Sequence, residues 1–500
     1  MLSTALRRCL PAPAVALLLL AAPPALAGQA QPDAAMVAAI RAEGLERSRA
    51  AELYHYLTDV IGPRLTASPA HVEAARWARD RLTAWGAADA RLEPFEFGRG
   101  WTLEGLTLEM TAPRYFPLIG YPEAWTPSTR GTLEAELLYL GERSVEDIQA
   151  LADAGRLAGA IVLAERPQPA FITQDREQPA DADGPVRLGA PRSIRADAAA
   201  PLREVLPILR AAGAGALLRP NQGQHGTLFV LGSRTTADDD VPEIILAAEH
   251  YNMLARLAEA GQAPTVRVRV AARYHEEDTH SYNVLAEIPG TDPDVGHEVV
   301  MLGGHLDSWH SSPGATDNAD GVTAALEAMR ILLAMDARPR RTIRVALWGG
   351  EEQGLLGARA WVEAQLAGEA NAAAREAFSV YLNDDPGAGA TYGFYMEENQ
   401  AARALFDAWL EPLRDLGVKR NVIEPLGSTD HLAFTGIGLP GFSTLKDYVD
   451  YDVRTHHTNM DFAERVTEAD LRQSAIVLAV FAWQAANLAE RVPRAPRVPR

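Results

Sequence analysis

The segment Glu298 to Glu352, EVVMLGGHLDSWHSSPGATDNADGVTAALEAMRILLAMDARPRRTIRVALWGGEE, decides the fold. A strand at Glu298–Leu302 runs into Gly303-Gly304-His305-Leu306-Asp307. Asp317-Asn318 then precedes a helix whose apolar stripe is Val322, Leu326, Met329 and Leu333. A second strand, with Ile343, Val345 and Leu347 alternating, runs into Gly349-Gly350-Glu351-Glu352. Further along, Val380-Tyr381-Leu382 ends at Asp384-Asp385-Pro386-Gly387. A strand near 442–445 leads into a polar loop holding His456-His457. Repeated strand–loop–helix units predict an α/β fold, a sheet with helices on both faces. In open α/β sheets ligands bind beyond the carboxyl ends of the strands. Here several such ends deliver His, Asp or Glu, and that convergence marks the site.

Upstream of this segment the organisation is plainer. Residues 36–90 read as helices, with Ala75–Leu82 at helical spacing behind Ser68-Pro69, and Leu106, Leu108 and Met110 alternate as in a strand. Residues 130–272 combine short β-rich runs (160–163, 227–231, 241–246) with an Ala-rich helix ending at Gly213. They are expected to form a compact inserted domain with little chemistry of its own. The expected plan is 1–27 signal peptide, 28–129 first part of the catalytic domain, 130–272 insertion and 273–490 catalytic domain. A Pro/Arg-rich tail at 491–500 is expected to be disordered.

The 500 residues are 47% hydrophobic and 23% charged, a globular composition. Lys+Arg 47 against Asp+Glu 66 gives a net charge of −19, with no basic run to neutralise phosphates. Nucleic acid is therefore excluded as the leading partner, and an anionic membrane surface is disfavoured. Arg7 and Arg8, the apolar run Ala14–Ala22 and Ala25-Leu26-Ala27 form the three parts of a secretory signal. The run is shorter than the roughly 20 residues that span a bilayer. Cys9 is the single cysteine and would leave with the signal, so the mature chain is expected to lack disulfides. The implied location is the periplasm or outside the cell.

Taken as charges, Asp317, one of Glu351/Glu352 and one of Asp384/Asp385 crowd one place. Two carboxylates about 4 Å apart repel by roughly 4 kcal/mol at an effective dielectric near 20. Two divalent ions with a bridging hydroxide balance such a cluster, whereas a single ion leaves it over-negative. Imidazoles with carboxylates and no thiolate suit zinc, with manganese or cobalt as alternatives, whereas calcium and magnesium prefer all-oxygen sites. The glutamate not holding metal is then the general base, and Asp307 is placed to accept the other ring N–H of His305 and fix its tautomer. Two decoys are set aside. His275 and His280 are five residues apart and share no helical face, and Gly213-Ala214-Gly215 reads as a helix-to-strand turn. No Gly-x-Ser-x-Gly elbow exists.

These residues resemble the co-catalytic zinc exopeptidases, metallopeptidase family twenty-eight, from about residue 50 to 490. The resemblance rests on Ile61–Thr66, Gly304–Trp309, Gly314–Asn318, Leu347-Trp348 before Glu351-Glu352, Gly427–Asp430 and His456-His457. It implies a mixed central sheet as in zinc aminopeptidases, and an insertion like a protease-associated domain. It implies two zinc ions, His305 and Asp385 holding one, Glu352 and His457 the other, with Asp317 bridging. Glu351 would be the base, with Asp307 counted among the catalytic residues. His457 is preferred to His456 because the family places an aspartate four positions after this ligand, here Asp461. Asp385 is preferred to Asp384 because the family's ligand directly precedes a short turn, here Pro386-Gly387. His310 stands where related sequences carry an acid, and is expected to be a solvated loop residue. Asp430 and His431 are candidate substrate or supporting contacts, and Trp309, Tyr448 and Tyr451 candidate pocket walls. The implied activity is hydrolysis of dipeptides or short peptides, in a possible homodimer. The alternatives are a one-zinc acyltransferase like glutaminyl cyclases, and a non-catalytic receptor on the same scaffold.

Overall fold

A computed structural model of the chain describes residues 32–177, 198–232 and 240–495. The expected signal peptide with Cys9, and residues 496–500 of the expected tail, lie outside the described residues. Among the described residues no helix is long and apolar enough to cross a membrane.

The first sheet has seven strands in the order Ala88–Glu96, His280–Ile288, Thr342–Trp348, Val299–His305, Phe378–Asn383, Gly441–Asp447 and Ala388–Tyr395. The four strands from Thr342–Trp348 to Gly441–Asp447 run parallel, and antiparallel strands close both edges. The mixed sheet expected from the sequence is therefore present. Side chains alternate between its faces with the period of two that a strand imposes. Val300, Leu302, Val345, Leu347, Val380 and Leu382 face helices Asp320–Ala334 and Glu468–Asn487. Met301, Ala346, Trp348 and Tyr381 face helix Leu356–Gln365 and Phe434. The helix expected to carry one apolar stripe is buried along the whole of 320–332. It is packed between the sheet, Glu468–Asn487 and the N-terminal helices, so its small residues fill contacts on every side. The helical region upstream includes Pro69–Ala84, which starts where Ser68 accepts the His71 N–H and Pro69 pre-sets the first turn.

A second sheet of eight strands has the order Phe116–Pro117, Gly100–Ala112, Thr265–His275, Leu133–Tyr139, Ile161–Leu163, Ala216–Pro220, Glu243–Leu246 and Gly120–Pro122. The expected boundary at residue 130 falls inside it, because Gly100–Ala112 pairs along its length with Thr265–His275. Composition could not show this, since a strand's sequence does not say which sheet it joins. The β-like run 227–231 is not a strand of this sheet. Phe229 instead forms an isolated bridge with Thr458, on the loop that follows strand Gly441–Asp447. Gly213 ends helix Leu202–Ala212 in the left-handed conformation, φ 69°, before the next strand. His275 and His280 end one strand and begin the next, on a connection between the two sheets.

Candidate metal centre

Three parallel strands stop at one edge, and each stop presents a polar side chain. The strand Val299–His305 ends in His305, whose side chain is 1% exposed. Its Nδ1 lies 3.0 Å from the Asp307 main-chain oxygen, so this nitrogen carries a proton and Nε2 is the atom turned to the carboxylates. Asp317 Oδ1 lies 3.1 Å and Asp385 Oδ1 3.6 Å from that Nε2. On the other side His457 Nε2 lies 2.9 Å from Glu352 Oε2 and 3.3 Å from Asp317 Oδ2. The two oxygens of one carboxylate thus face two different imidazoles. His456 also brings a ring nitrogen within 4.8 Å of ligand atoms of Asp317 and His457, but its ring stacks on Tyr451 at 4.9 Å.

Of the two neighbouring aspartates, Asp385 faces His305 and Asp384 turns away. Thr444 Oγ1 donates to Asp384 Oδ1 at 2.7 Å, and Lys446 Nζ lies 3.2 Å from the same oxygen. Lys446 also donates to Asp320 at 2.6 Å, behind the centre.

Asp307 does not act as expected. Its carboxylate stands 3.6 Å from His305 Nδ1, and the main-chain oxygen takes the ring proton instead. The carboxylate accepts from Thr66 Oγ1 at 2.8 Å and from the Glu351 and Glu352 N–H groups at 3.2 and 3.3 Å. It therefore orients the turn that carries both glutamates. A local spacing of two residues could not reveal this, because the acceptors are set by a strand 44 residues away. Sequence reasoning also passed over Arg64 and used Asp461 only as a marker. Buried Arg64 donates to the main-chain oxygens of Leu306, Pro313 and Gly314, at 2.8, 2.6 and 3.0 Å, bracing the loop before Asp317. Asp461 accepts the N–H groups of Thr316 and Asp317 at 2.8 and 3.1 Å.

The electrostatics of the group point to cations. Burial lowers the His305 imidazole, but Asp385, Asp307 and Asp317 outweigh it and hold it well above its ordinary value. Burial likewise works against the Asp317 carboxylate, yet the two imidazoles keep it below the ordinary range. His457 is pushed up to about 9, burial being outweighed by Glu352 and Asp317. Burial and Asp317 push Glu352 up to about 7. Protons on imidazoles thus do here what positive ions would do, and metal binding characteristically displaces such protons. His305 Nε2 and Glu352 Oε1 are buried without a hydrogen-bond partner among the described residues. Two nitrogens and three carboxylates with no sulfur form a donor set that fits zinc, and the unpartnered atoms face inward where an ion would sit. The residues present fit zinc.

The profile of Peptidase family M28 matches residues 283–482. The chain is also 26% identical to Carboxypeptidase Q of Homo sapiens over 456 residues, covering 90% of this chain and 88% of that one. Two solved structures share the fold of this chain. A Peptidase M28 precursor from Shewanella amazonensis has TM-score 0.67 at 23% identity, with 93% of this chain and 99% of that one covered. A zinc aminopeptidase from Bacillus subtilis has TM-score 0.59 at 18% identity, with 89% and 97% covered.

The centre opens into a cleft of about 490 Å³, whose walls include Glu351, Arg359, Asp385, Leu432 and Tyr451. Burial pushes the Glu351 carboxyl well above its ordinary range, helped by Asp385, Asp430 and Glu352 and opposed by His305. His310 is not solvated. It is buried, its Nε2 lies 2.8 Å from the Pro122 oxygen, and it packs edge-on against Trp101 of the second sheet. The loop is clamped between the two domains, a burial that a loop sequence cannot signal. Tyr451 lines the cleft, whereas Tyr448 is fully buried with its hydroxyl 3.0 Å from that of Tyr395. Trp309 packs edge-on to His457 at 6.2 Å. Asp430 is buried beneath the cleft, and the His431 ring lies 3.0 Å from Glu397.

Proposed function

We propose that this chain is an exported di-zinc exopeptidase that hydrolyses dipeptides or other short peptides. One observation carries the reading: the Asp317 carboxylate turns one oxygen to His305 and the other to His457, at 3.1 and 3.3 Å. His305 and Asp385 would hold one ion, Glu352 and His457 the other, and Asp317 both. Bound zinc supplies a Lewis acid and makes a water-derived nucleophile accessible at neutral pH.

The chain's own residues do the rest. His305 is oriented by its Nδ1–H bond to the Asp307 carbonyl. The Asp307 carboxylate aims Glu351 and Glu352 through their N–H groups. Glu351 takes the proton of the attacking water at its carboxylate and returns it to the leaving amine. Burial and the neighbouring acids Asp385, Asp430 and Glu352 strengthen its hold on that proton.

The N-terminal signal pattern supports export to the periplasm or beyond, and the resemblance supports a homodimer. The second sheet supports a protease-associated-like reading of the insertion. Removing metal with a chelator and then restoring zinc tests the activity. Dipeptide hydrolysis should vanish and return, with two zinc ions per chain at full activity. Hydrolysis that survives complete metal removal contradicts the proposal. Comparison of free and N-blocked dipeptides then reads the cleavage mode: failure on N-blocked substrates shows that a free amine is recognised.

A further inference from the structure

The half of the centre that carries His457 is held from outside the catalytic sheet. His457 has φ 60°, a left-handed backbone that a residue with a Cβ keeps only when its surroundings impose it. Those surroundings come from the second domain. The Val230 N–H donates to the His457 carbonyl at 3.0 Å, and the Asn459 N–H to the Leu228 carbonyl at 3.1 Å. Asn459 Oδ1 in turn accepts the Leu228 N–H at 2.7 Å. This short ladder holds the His457 carbonyl and the residue two positions after it.

A second grip lies a few residues upstream. Arg176 donates to Asp452 through NH2 at 2.6 Å, Nε at 2.9 Å and its main-chain N–H at 2.8 Å. Both side chains are nearly buried, 8% and 2% exposed, so the fork is poorly screened. Its guanidinium also covers the Tyr448 and Tyr451 rings at 4.5 and 5.5 Å. Tyr451 stacks on His456, whose ring centre is 3.8 Å from that of His457. Next to Arg176, the Asp175 carboxylate accepts the N–H groups of Asp450 and Val453 at 2.9 and 3.0 Å. His305, by contrast, ends a strand paired on both sides within the catalytic sheet.

We propose that the second domain is a working part of the metal centre. Through Arg176 and Val230 it positions His457, and so sets the affinity of the ion held by Glu352, His457 and Asp317 while leaving the His305 ion untouched. The inference rests on the two-ion reading above. Arg176 is a positioning residue. It touches neither metal nor substrate, and groups that orient a ligand from behind typically govern metal affinity by 10–100-fold.

The test titrates zinc into the metal-free full-length chain against a competing chelator, resolving the two affinities. For Arg176→Ala one affinity should fall about 10–100-fold and the other stay at the wild-type value. Arg176→Lys should recover part of the loss, because it keeps the charge but not the two-pronged fork. A purely structural role would lower the melting temperature and weaken both ions together, or neither, and either result overturns the inference. If Arg176→Ala does not fold, Asn459→Ala cuts the ladder from the other end and is read by the same two outcomes. Fewer than two zinc ions on the wild type overturns the two-ion reading, and this inference with it.

Discussion

The two halves of the centre are built differently. His305 and Asp385 stand at the ends of adjacent parallel strands, and the His305 side chain is 1% exposed. His457 sits on a loop in a left-handed conformation, 27% exposed, tied to the second domain. Sheet hydrogen bonds fix the first half whatever the rest of the molecule does. The second half depends on contacts between residues more than two hundred positions apart. One carboxylate, Asp317, belongs to both.

Breaking that shared group should have the largest effect. Asp317→Asn should abolish hydrolysis and leave less than one tightly held zinc per chain by elemental analysis. Retention of both ions would mean that the halves bind independently. Glu351→Gln should come next, lowering kcat by about 10²–10⁴ with both ions in place, since general-base catalysis contributes in that range. A wild-type kcat would remove Glu351 from the proposed chemistry.

The clamp between the domains gives a pH test. Burial lowers His310 to about 4 from an ordinary 6.5, so the folded chain favours the neutral ring. The unfolded chain takes up the proton first as pH falls. Stability is therefore complete above about 6.5 and declines as pH falls toward 4, by roughly 3 kcal/mol from this residue. In denaturant unfolding, His310→Asn should lose less stability than wild type between pH 7 and 4. Parallel curves would show that His310 is not held neutral. The smallest effect is expected from Thr66→Val, which removes one hydrogen bond to Asp307. It should cost about 1 kcal/mol of stability and lower turnover modestly without displacing either ion. A Thr66→Val chain that loses zinc would make Asp307 more central than proposed.

The same contrast explains what the sequence made legible. Glycines and acids after alternating apolar runs announced the strand ends at His305, Glu351 and Asp385, because strand periodicity and its termination are local properties. The choice between Asp384 and Asp385 required geometry: Lys446 and Thr444, about 60 residues on, claim the first. The contacts of Asp307, Arg64 and Asp461 were equally hidden, as each serves main-chain groups brought near only by the fold. The run 227–231 shows the limit most clearly. Its β character was readable, but its partner is the loop carrying His457, not a neighbouring strand of its own domain.

Crystallographic zinc anomalous scattering from the reconstituted protein tests the central claim most directly. Two peaks are predicted, one against His305 and Asp385 and one against His457 and Glu352, with an oxygen of Asp317 reaching each. A single peak, or two peaks that Asp317 does not join, would contradict the account.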